Sequence, residues 1–442
     1  MTARALVVKA LVRVEEQGAY SNLVLDGELS RSGLDSRDKA FASALFYTTL
    51  ERLVTLDACI ASQSSRPLGK LSPQVLAILR ISVCQLLYMP QIPPSAVVDE
   101  GVKLTRQNRQ ASAGGFVNGV LRSFLRGGCA LPTPPEEGET LAIQYGVPRP
   151  LVELWLRSYG REDTEGFLKR CQPPAPLYIR VNRLRIDEEA LAARLAEEGV
   201  TARPVDGLEG AMVLEGGGDL RRLRAFEEGL FHVQDLSSQL CAKALEARPG
   251  MAVLDVCAAP GGKTFTLAQW MEDRGRLVAC DLHPKRVGLV AKGARRLGLH
   301  CVEALAADGS VWEESRGRFD RVLCDVPCSG YGILRRKPEV RYKPLEETAG
   351  LPAVQYKILE TSAKYTKEGG LLLYSTCTLH PRENQEVVER FLQAHPEFSP
   401  HPLTAIGVEE GQLTLINTRW DSDGFFLAAL ERTGQPGGRP TK

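Results

Sequence analysis

The chain has 442 residues, of which 43% are hydrophobic and 25% are charged, and its formal net charge is +1. This length exceeds one ordinary hydrophobic core, so two or three globular domains are expected. No run of 18 apolar residues appears, the N-terminus lacks the pattern of a signal peptide, and the eleven cysteines are scattered without a framework spacing. These features argue against a membrane span, a secreted protein and a disulfide framework, so we expect a cytoplasmic protein with reduced thiols.

Residues 2–127 carry the periodicity of amphipathic helices. The first segment, Ala3–Val14, repeats apolar residues at the i, i+3, i+4 and i+7 spacing. Ser72-Pro73 places a capping serine before a proline at the first helical position, and further helices are expected near residues 36, 93 and 112. Residues 1–130 hold fifteen Lys and Arg against ten Asp and Glu, which fits a polyanionic partner or an ordinary solvated surface. We predict an all-α bundle over residues 1–130.

A segment rich in Pro and Gly, residues 127–138, predicts a boundary after this bundle. Helical segments are expected around residues 139–170, and a second Pro-rich segment follows at Gln172–Pro176. The pattern beyond it predicts a helix at Asp187–Glu198 and short strands at Leu177–Val181, Ala202–Val205, Met212–Leu214 and Gly229–Val233. We therefore predict a small α+β subdomain within residues 131–234. Such modules line RNA-binding surfaces, although a purely structural subdomain has the same pattern.

From Asp235 to residue 433 helices and strands alternate, which predicts a parallel, doubly wound sheet. The predicted helices include Thr264–Trp270, Pro284–Leu297 and Pro352–Lys367. The predicted strands are Ala252–Val256, Leu277–Cys280, Cys301–Ala306, Arg321–Cys324 and Leu371–Tyr374. Two late strands, Leu413–Asn417 and Phe425–Leu430, lie close together and are expected to form an antiparallel hairpin at one edge.

The first strand of this sheet is followed by the small residues of Asp255-Val-Cys-Ala-Ala-Pro-Gly-Gly-Lys-Thr264. Small residues let a ligand approach the backbone, and the N-terminus of the next helix favours anionic groups. Asp281 ends the second strand twenty residues past Gly261, the position of a carboxylate that accepts hydrogen bonds from a ribose. Asp308 follows the third strand, where an adenine edge is expected. Each Asp alone also fits a strand-end turn, but together the strand ends predict a nucleoside site.

This segment differs from a phosphate-binding P-loop at one residue, because Cys257 stands where the first Gly belongs. A phosphate cradle needs that Gly and successive amide donors, and Pro260 has no N–H group. S-adenosylmethionine needs only close backbone and an acid that binds ribose. We therefore expect S-adenosylmethionine as the cofactor, with ATP hydrolysis as the alternative.

Two cysteines follow successive strands of the predicted sheet. Asp325-Val-Pro-Cys328 comes after the fourth strand, and Ser375-Thr-Cys377 comes after the fifth. Ligands bind outside the carboxyl ends of strands in open α/β sheets, so Asp325, Cys328 and Cys377 are expected at one cleft. A zinc site, a transient disulfide and plain buried cysteines are the alternatives.

Thiols beside S-adenosylmethionine have a specific chemical use. C5 of cytosine is too electron-poor to accept a methyl cation, but a thiolate that adds at C6 makes an enamine whose C5 attacks the methyl group. A carboxyl group near N3 and the exocyclic amine holds the base. The C5 proton then leaves so that the thiol is expelled. Two cysteines can share this work, one as the nucleophile and the other to assist release.

A basic segment, Arg335–Lys343, follows Cys328 and holds five cations, one anion and a tyrosine. Such a composition suits phosphate contacts and base stacking, and a solvated loop is the alternative. Arg335 and Arg336 are the residues that we predict to contact RNA.

Four motifs resemble the RNA (cytosine-5) methyltransferase family. They are Asp255–Thr264, the segment from Asp325-Val-Pro-Cys-Ser-Gly to Arg-Arg-Lys-Pro-Glu339, Tyr374-Ser-Thr-Cys377 and Asp423-Gly-Phe-Phe426. The helical N-terminus is similar to the NusB-like RNA-binding domain, through Leu76–Leu87, Pro93–Val98 and a Gly-Gly-Phe-Val-Asn-Gly-Val-Leu-Arg segment. This pairing resembles the bacterial members that act on 16S ribosomal RNA, and it covers essentially the whole chain.

The resemblance implies a multidomain protein with an all-α NusB-like bundle, a small α+β (RRM-like) subdomain and a class I Rossmann-like α/β methyltransferase domain. It implies that Cys377 is the nucleophile and that Cys328 assists product release. The cofactor-binding residues that it implies are Cys257, Ala258, Ala259, Pro260, Gly261, Gly262, Lys263, Asp281, Asp308 and Asp325. It further implies a monomer that binds 16S rRNA, without a metal or a membrane.

Two departures from the family pattern affect the expected RNA contacts, not the chemistry. Tyr342 stands where Trp is frequent, and Arg382 stands where an acid is frequent. The alternatives to 16S rRNA methylation are the same chemistry on another RNA, such as tRNA, and an inactive RNA-binding assembly protein.

Overall fold

The computed structural model describes residues 1–17, 21–216, 218–418 and 420–434. Contacts between residues divide the chain into two compact units, the first comprising Met1–Gln172 and Arg336–Lys343, the second Pro173–Arg335 and the residues from Pro344 on. The finer division into domains of residues 1–130, 131–234 and 235–433 stays a prediction. Across the described ranges, no helix is long and apolar enough to cross a bilayer.

The first unit is helical, which confirms the predicted all-α bundle. The Asp35 side chain accepts the N–H of Asp38 at 2.8 Å and caps one helix; Ser72 accepts the N–H of Val75 at 3.3 Å and caps another. The helices are α1 (Ala3–Gln17), α2 (Ser21–Arg31), α3 (Ser36–Glu51), α4 (Leu53–Gln63), α5 (Pro73–Tyr88), α6 (Pro94–Gln107), α7 (Gly114–Arg126), α8 (Glu137–Tyr145) and α9 (Arg149–Arg170).

Helix α5 is the most buried helix of this bundle, because all eleven residues from Val75 to Gln85 are buried. One of them is Arg80, whose guanidinium pairs with Asp57 at 2.7 Å and with Glu15 at 3.1 Å. A buried charge is tolerated only with such partners. The pairing therefore explains how an arginine occupies the middle of a core helix.

The segment Arg336–Lys343 packs within this helical unit. Arg341 is 3% exposed, and its Nη1 donates to the carbonyl of Glu51 at 2.6 Å and to that of Gly146 at 3.2 Å. Carbonyls at helix ends have no partner inside the helix, so a buried guanidinium stabilises them. The composition of this segment predicted RNA contacts by Arg335 and Arg336 or a solvated loop, and it did not predict this structural role for Arg341.

Replacing Tyr342 with phenylalanine is expected to lower the free energy of unfolding of the helical unit by about 1–3 kcal/mol. The Tyr342 hydroxyl donates to Leu50 O at 2.7 Å and accepts the N–H of Leu53 at 3.2 Å, at the junction of α3 and α4. Phenylalanine keeps the ring but leaves both backbone groups unpaired. Hydrogen exchange of the α5 amides measures the change. Tyr47→Phe is the matched control, because the described residues offer the Tyr47 hydroxyl no hydrogen-bond partner, and an equal loss there would contradict the prediction.

The second unit begins with the small α+β module. Its strands are β1 (Leu177–Val181), β2 (Thr201–Pro204), β3 (Ala211–Glu215) and β4 (Phe231–Val233), and its helices are α10 (Glu188–Glu197) and α11 (Arg224–Glu227). The strand order is β2-β3-β1-β4, and every neighbouring pair is antiparallel. This is the β-α-β-β-α-β arrangement. The predicted module is confirmed, with α11 as an element that the sequence analysis missed.

The rest of the second unit is an α/β sheet with the order β10-β12-β9-β8-β5-β6-β7, in which β11 also pairs with β12. Strands β5 to β9 are parallel, as predicted. The elements are α12 (Leu236–Ala244), β5 (Ala252–Asp255), α13 (Gly262–Trp270), β6 (Arg276–Asp281), α14 (Pro284–Leu297), β7 (Val302–Ala306), β8 (Phe319–Asp325), α15 (Leu351–Tyr365), β9 (Thr366–Thr376), α16 (Gln385–Ala394), β10 (Phe398–Pro400), β11 (Gln412–Leu415) and β12 (Phe425–Arg432).

Both faces of this sheet are buried. Leu371 and Leu373 of β9 pack into one hydrophobic cluster, whereas Leu372 between them packs into another. Successive side chains of a strand point to opposite faces, so the two clusters are the cores above and below the sheet. This arrangement confirms the doubly wound architecture that the continuous apolar runs predicted.

Two predicted details of the sheet need correction. The helix expected over Pro352–Lys367 ends at Tyr365, because the chain enters β9 at Thr366. The predicted hairpin of β11 and β12 is confirmed, but β12 also pairs with β9 and β10 and is therefore not an edge strand.

Candidate active site

The site lies where the strand order of the sheet reverses. Strand β5 is flanked by β6 on one side and β8 on the other, so the connections leave it in opposite directions. Ligands bind at such a switch point, outside the carboxyl ends of the strands. Asp255 ends β5, Asp325 ends β8, and Ser375 of β9 lies opposite Asp325. Cys377 follows two residues later, so the predicted strand-end residues meet at one edge of the sheet.

A cavity of about 170 Å³ opens at this switch point. Seven of the residues predicted to bind the cofactor line it, namely Cys257, Ala258, Ala259, Pro260, Gly262, Lys263 and Asp325. Gly261 does not line the cavity but shapes its wall, with φ at +114°. A Cβ at this position would lie 2.3 Å from the Phe265 ring, so only glycine permits the turn.

The two other predicted carboxylates lie outside the lining of this cavity. Asp281 is 3% exposed, and its carboxylate accepts the N–H groups of Ala259 at 3.3 Å and of His283 at 3.1 Å. It therefore supports the loop that forms the cavity. Asp308 accepts the hydroxyl and the N–H of Ser310 at 2.7 and 2.8 Å, and these hydrogen bonds hold the pKa of Asp308 below its usual range. Cofactor binding by Asp281 and Asp308 stays a prediction.

Asp325 is held in place from two sides. Lys263 Nζ lies 2.8 Å from Oδ2, and the Ser375 hydroxyl donates to Oδ1 at 2.8 Å. Burial disfavours the charge of Lys263, but the Asp325 carboxylate outweighs burial and raises the pKa of the lysine. Lys263 therefore stays charged, and its contact and that of Ser375 fix the orientation of the Asp325 carboxylate at the end of β8.

Asp255 is a site residue that the sequence analysis did not single out, although it opens the motif. It is 1% exposed and lines the cavity. Its Oδ2 accepts the Thr264 hydroxyl at 2.6 Å, whereas Oδ1 has no hydrogen-bond partner among the described residues. Burial raises the pKa of Asp255 to about 7. The sequence signal for this site residue was an acid at the end of the first strand of the sheet. Only the burial of Asp255 in the structure shows that its carboxyl group can be protonated near neutral pH.

Replacing Asp255 with asparagine is expected to flatten the pH dependence of stability in the absence of cofactor. The folded-state pKa of about 7 lies above the unfolded value, so the stabilisation is complete below about pH 4 and is lost as the pH rises through 7. Between pH 4.5 and 8, the free energy of unfolding should fall by roughly 3 kcal/mol more in the wild type than in Asp255→Asn. Denaturant unfolding at pH 4.5 to 8 measures it; equal slopes would contradict the prediction.

The two predicted catalytic thiols are in contact, with 3.3 Å between Cys328 Sγ and Cys377 Sγ. Their shared hydrogen bond lowers the pKa of Cys377, against the opposing effect of burial. The same hydrogen bond, with burial, raises the pKa of Cys328 well above its usual range. Cys377 therefore loses its proton first, and the thiolate is the nucleophilic form of cysteine.

A buried polar cluster holds the Cys328 loop against the segment after Cys377. Glu383 is fully buried, and its Oε2 accepts the N–H of Ser329 at 2.9 Å. Gln355 donates to the same oxygen at 2.8 Å and to Pro327 O at 3.0 Å. The sequence analysis missed Glu383 and Gln355. Glu383 could be seen in the sequence as an acid six residues after Cys377, but its contact with Gln355 of α15 could not.

The two arginines that were predicted to contact RNA, Arg335 and Arg336, have different surroundings. Arg335 donates to Pro173 O at 3.3 Å and to Pro174 O at 3.0 Å, and it pairs with Asp421. Arg336 is exposed and belongs to the first unit. An RNA contact by either arginine stays a prediction. Within the described part of the chain, no cluster of three or more His, Cys, Asp or Glu is placed to hold a metal ion.

Comparisons with known proteins match nearly the whole chain. The model of 16S rRNA methyltransferase RsmB/F matches residues 242–431, the NusB family model matches residues 1–126, and a ferredoxin-like domain of RsmF/B-like methyltransferases matches residues 147–221. Probable ribosomal RNA small subunit methyltransferase B of Bacillus subtilis is 34% identical over 98% of this chain and 99% of its own length. The chain belongs to the RsmB/F family of 16S rRNA methyltransferases.

Other members and solved structures agree with this assignment. Ribosomal RNA small subunit methyltransferase B of Thermus thermophilus is 35% identical over 98% of both chains. The crystal structure of PH0851 superposes with a TM-score of 0.77 at 26% identity, covering 98% of this chain and 99% of that one. As an RsmB/F family member the protein is an rRNA methyltransferase with a NusB-like bundle, a ferredoxin-like module and a class I Rossmann-like domain. The fold class implied by the resemblance is thereby confirmed.

Proposed function

We propose that this RsmB/F family enzyme transfers a methyl group from S-adenosylmethionine to C5 of a cytidine in 16S rRNA, through a covalent bond between Cys377 and C6. The observation that carries the proposal is the contact of two thiols, 3.3 Å apart, at the ends of adjacent strands. Methylation of a nitrogen or oxygen needs no thiol nucleophile, whereas C5 of cytosine must be activated by one. The contact between Lys263 and Asp325, at 2.8 Å, supports the same chemistry because it holds a carboxyl group in place for the base.

The cavity at the switch point suits S-adenosylmethionine. Its loop, residues 257–263, brings backbone close to a ligand, and the unpaired Asp255 Oδ1 offers a buried acceptor for a hydrogen-bond donor of the cofactor. We assign the loop, together with Asp281, Asp308 and Asp325, to cofactor binding. When bound, the cofactor supplies an electrophilic methyl group.

The reaction begins at Cys377. Its thiolate adds to C6 of the cytosine, and the electron pair of the C5–C6 double bond becomes available at C5 for the methyl group. Asp325, fixed by Lys263 and Ser375, holds the exocyclic amine and the N3 edge of the base. The hydrogen bond from Cys328 favours the thiolate of Cys377 before attack.

Release requires that the C5 proton leave, that the C5–C6 double bond form again and that the bond from C6 to Cys377 break. Before attack, Cys328 stays protonated mainly because of its hydrogen bond with Cys377 and because of burial. Once the Cys377 sulfur is bonded to C6, it no longer carries the charge that opposes ionisation of Cys328. Cys328 then gives up its own proton to solvent and, as a thiolate, takes the C5 proton, and Cys377 leaves as a thiolate.

The remaining assignments concern the RNA. Arg335, Arg336 and the basic NusB-like bundle contact 16S rRNA, and the enzyme acts as a monomer. Sedimentation of the protein alone tests the last point, and a stable dimer would contradict it.

Isothermal titration tests the cofactor, and transfer of a labelled methyl group tests the reaction. We expect S-adenosylmethionine to bind without ATP hydrolysis and the label to enter 16S rRNA at a cytidine, mapped by bisulfite sequencing. Transfer to tRNA in preference to 16S rRNA would show that the proposed substrate is wrong. Absence of S-adenosylmethionine binding, or label at an atom other than C5, would overturn the proposed function.

A further inference from the structure

A second cavity, of about 440 Å³, lies in the second unit and has no part in the proposed chemistry. We call it the Trp420 pocket, and its walls are Tyr178, Val205, Asp206, Leu236, Trp420 and Asp421. The α+β module contributes the first three residues, and the methyltransferase part contributes the others. Pockets that hold small planar ligands have volumes of roughly 300–1,000 Å³, so the size suits one nucleobase.

The loop of the Trp420 pocket is linked to the cofactor cavity and to the thiol site by one side-chain and two main-chain hydrogen bonds. Asp235 lines the cofactor cavity, and its Oδ2 accepts the N–H of Asp423 at 3.2 Å. The N–H of Gly424 donates to Gly332 O at 2.8 Å, and the N–H of Gly332 donates to Cys377 O at 3.0 Å. The loop that carries the Trp420 ring is therefore connected to the cofactor cavity and to the backbone of the nucleophile.

A flat apolar surface forms one side of this pocket. The Trp420 ring lies against the backbone of Gly207, where a Cβ would come within 3.2 Å of the ring. The indole on this side of the pocket is therefore held next to main chain. Aromatic rings of this kind stack on the faces of unpaired nucleobases.

The polar groups at the rim are hydrogen-bond acceptors. Asp206 is exposed and has no hydrogen-bond or ion-pair partner among the described residues. Asp421 is paired with Arg335, which neutralises one of the two carboxylates. The free carboxylate of Asp206 selects a ligand with two adjacent donors.

We propose that the Trp420 pocket binds an unpaired guanine that lies near the target cytidine in the RNA. The base stacks on Trp420, and its N1–H and N2–H groups donate to the two oxygens of Asp206. Adenine and the pyrimidines lack this pair of adjacent donors. The inference rests on the proposed function for the identity of the polymer, but base binding can be measured without methyl transfer.

Nucleotide titrations of the full chain test the pocket directly. We expect guanosine monophosphate to quench tryptophan emission, and Trp420→Phe to lose this quenching although the other three tryptophans remain. Inosine monophosphate, which lacks the N2 amine, should bind about ten- to hundred-fold more weakly, and Asp206→Asn should abolish this difference. Unchanged quenching in Trp420→Phe, or equal affinity for inosine or adenosine monophosphate, would overturn the inference.

Methyl transfer to 16S rRNA gives the second measurement. Trp420→Ala should raise KM by about ten- to hundred-fold with kcat and the affinity for S-adenosylmethionine unchanged. Glu409→Gln, at an exposed carboxylate of the methyltransferase part, is the control and should change nothing. An unchanged KM in Trp420→Ala would refute the proposed role of the pocket in RNA binding and would leave the proposed function intact. A wild-type enzyme without methyl transfer would refute the function, whereas guanosine monophosphate quenching would still report the pocket.

Discussion

Replacing Cys377 with alanine is expected to abolish methyl transfer and to leave no covalent adduct with 16S rRNA. The variant lacks the sulfur that must add to C6, so C5 is never activated, and the rate should fall on the order of 10⁴-fold or more. Denaturing electrophoresis with labelled RNA measures the adduct, and incorporation of labelled methyl groups measures turnover.

Cys301→Ala is the matched control for this prediction. Cys301 is a half-buried cysteine before β7 and takes no part in the proposed chemistry. The control should retain both adduct formation and turnover. Methyl transfer by Cys377→Ala at an appreciable rate would show that the nucleophile has been assigned to the wrong cysteine.

Replacing Cys328 with alanine should have the opposite effect on the adduct. Cys377 still attacks, but the base that removes the C5 proton is missing, so a covalent complex accumulates and survives denaturation. Loss of the hydrogen bond from Cys328 also raises the pKa of Cys377, so the adduct should form more slowly at low pH than in the wild type. The rate of adduct formation, measured from pH 6 to 9, should therefore shift to higher pH.

The double variant Cys328→Ala/Cys377→Ala separates the two roles. It should form no adduct, because the trapped complex depends on the Cys377 sulfur. Normal turnover by Cys328→Ala alone would contradict its part in release, and an adduct in the double variant would require a third nucleophile.

Local sequence patterns predicted the elements that position the site. Apolar runs ending in small or acidic residues identified β5 to β9, and serine and proline marked the start of α5. The strand-end position of Asp325, Cys328 and Cys377 followed from those runs, because each chain segment leaves its strand at a readable residue. The short β10 and the break between α3 and α4 at Arg52 were missed, since neither interrupts the hydrophobic pattern strongly.

Residues that act through distant partners could not be predicted in the same way. Glu383 stabilises the Cys328 loop only because Gln355 of α15 reaches it, and Arg341 serves the helical unit through carbonyls far away in sequence. Asp255 was visible as an acid, but its raised pKa depends on its burial by residues that are distant in sequence. No short window of sequence contains those neighbours.

By itself, the sequence determined the order of helices and strands, the residues that follow each strand and the family to which the motifs point. These are local properties, set by hydrophobic periodicity, capping and turn chemistry. Only the tertiary structure decided which strands are neighbours, and therefore that Cys328 and Cys377 lie 3.3 Å apart with different tendencies to ionise. The physical reason is that sheet order is set by long crossovers, and a thiol's pKa is set by what surrounds it in space.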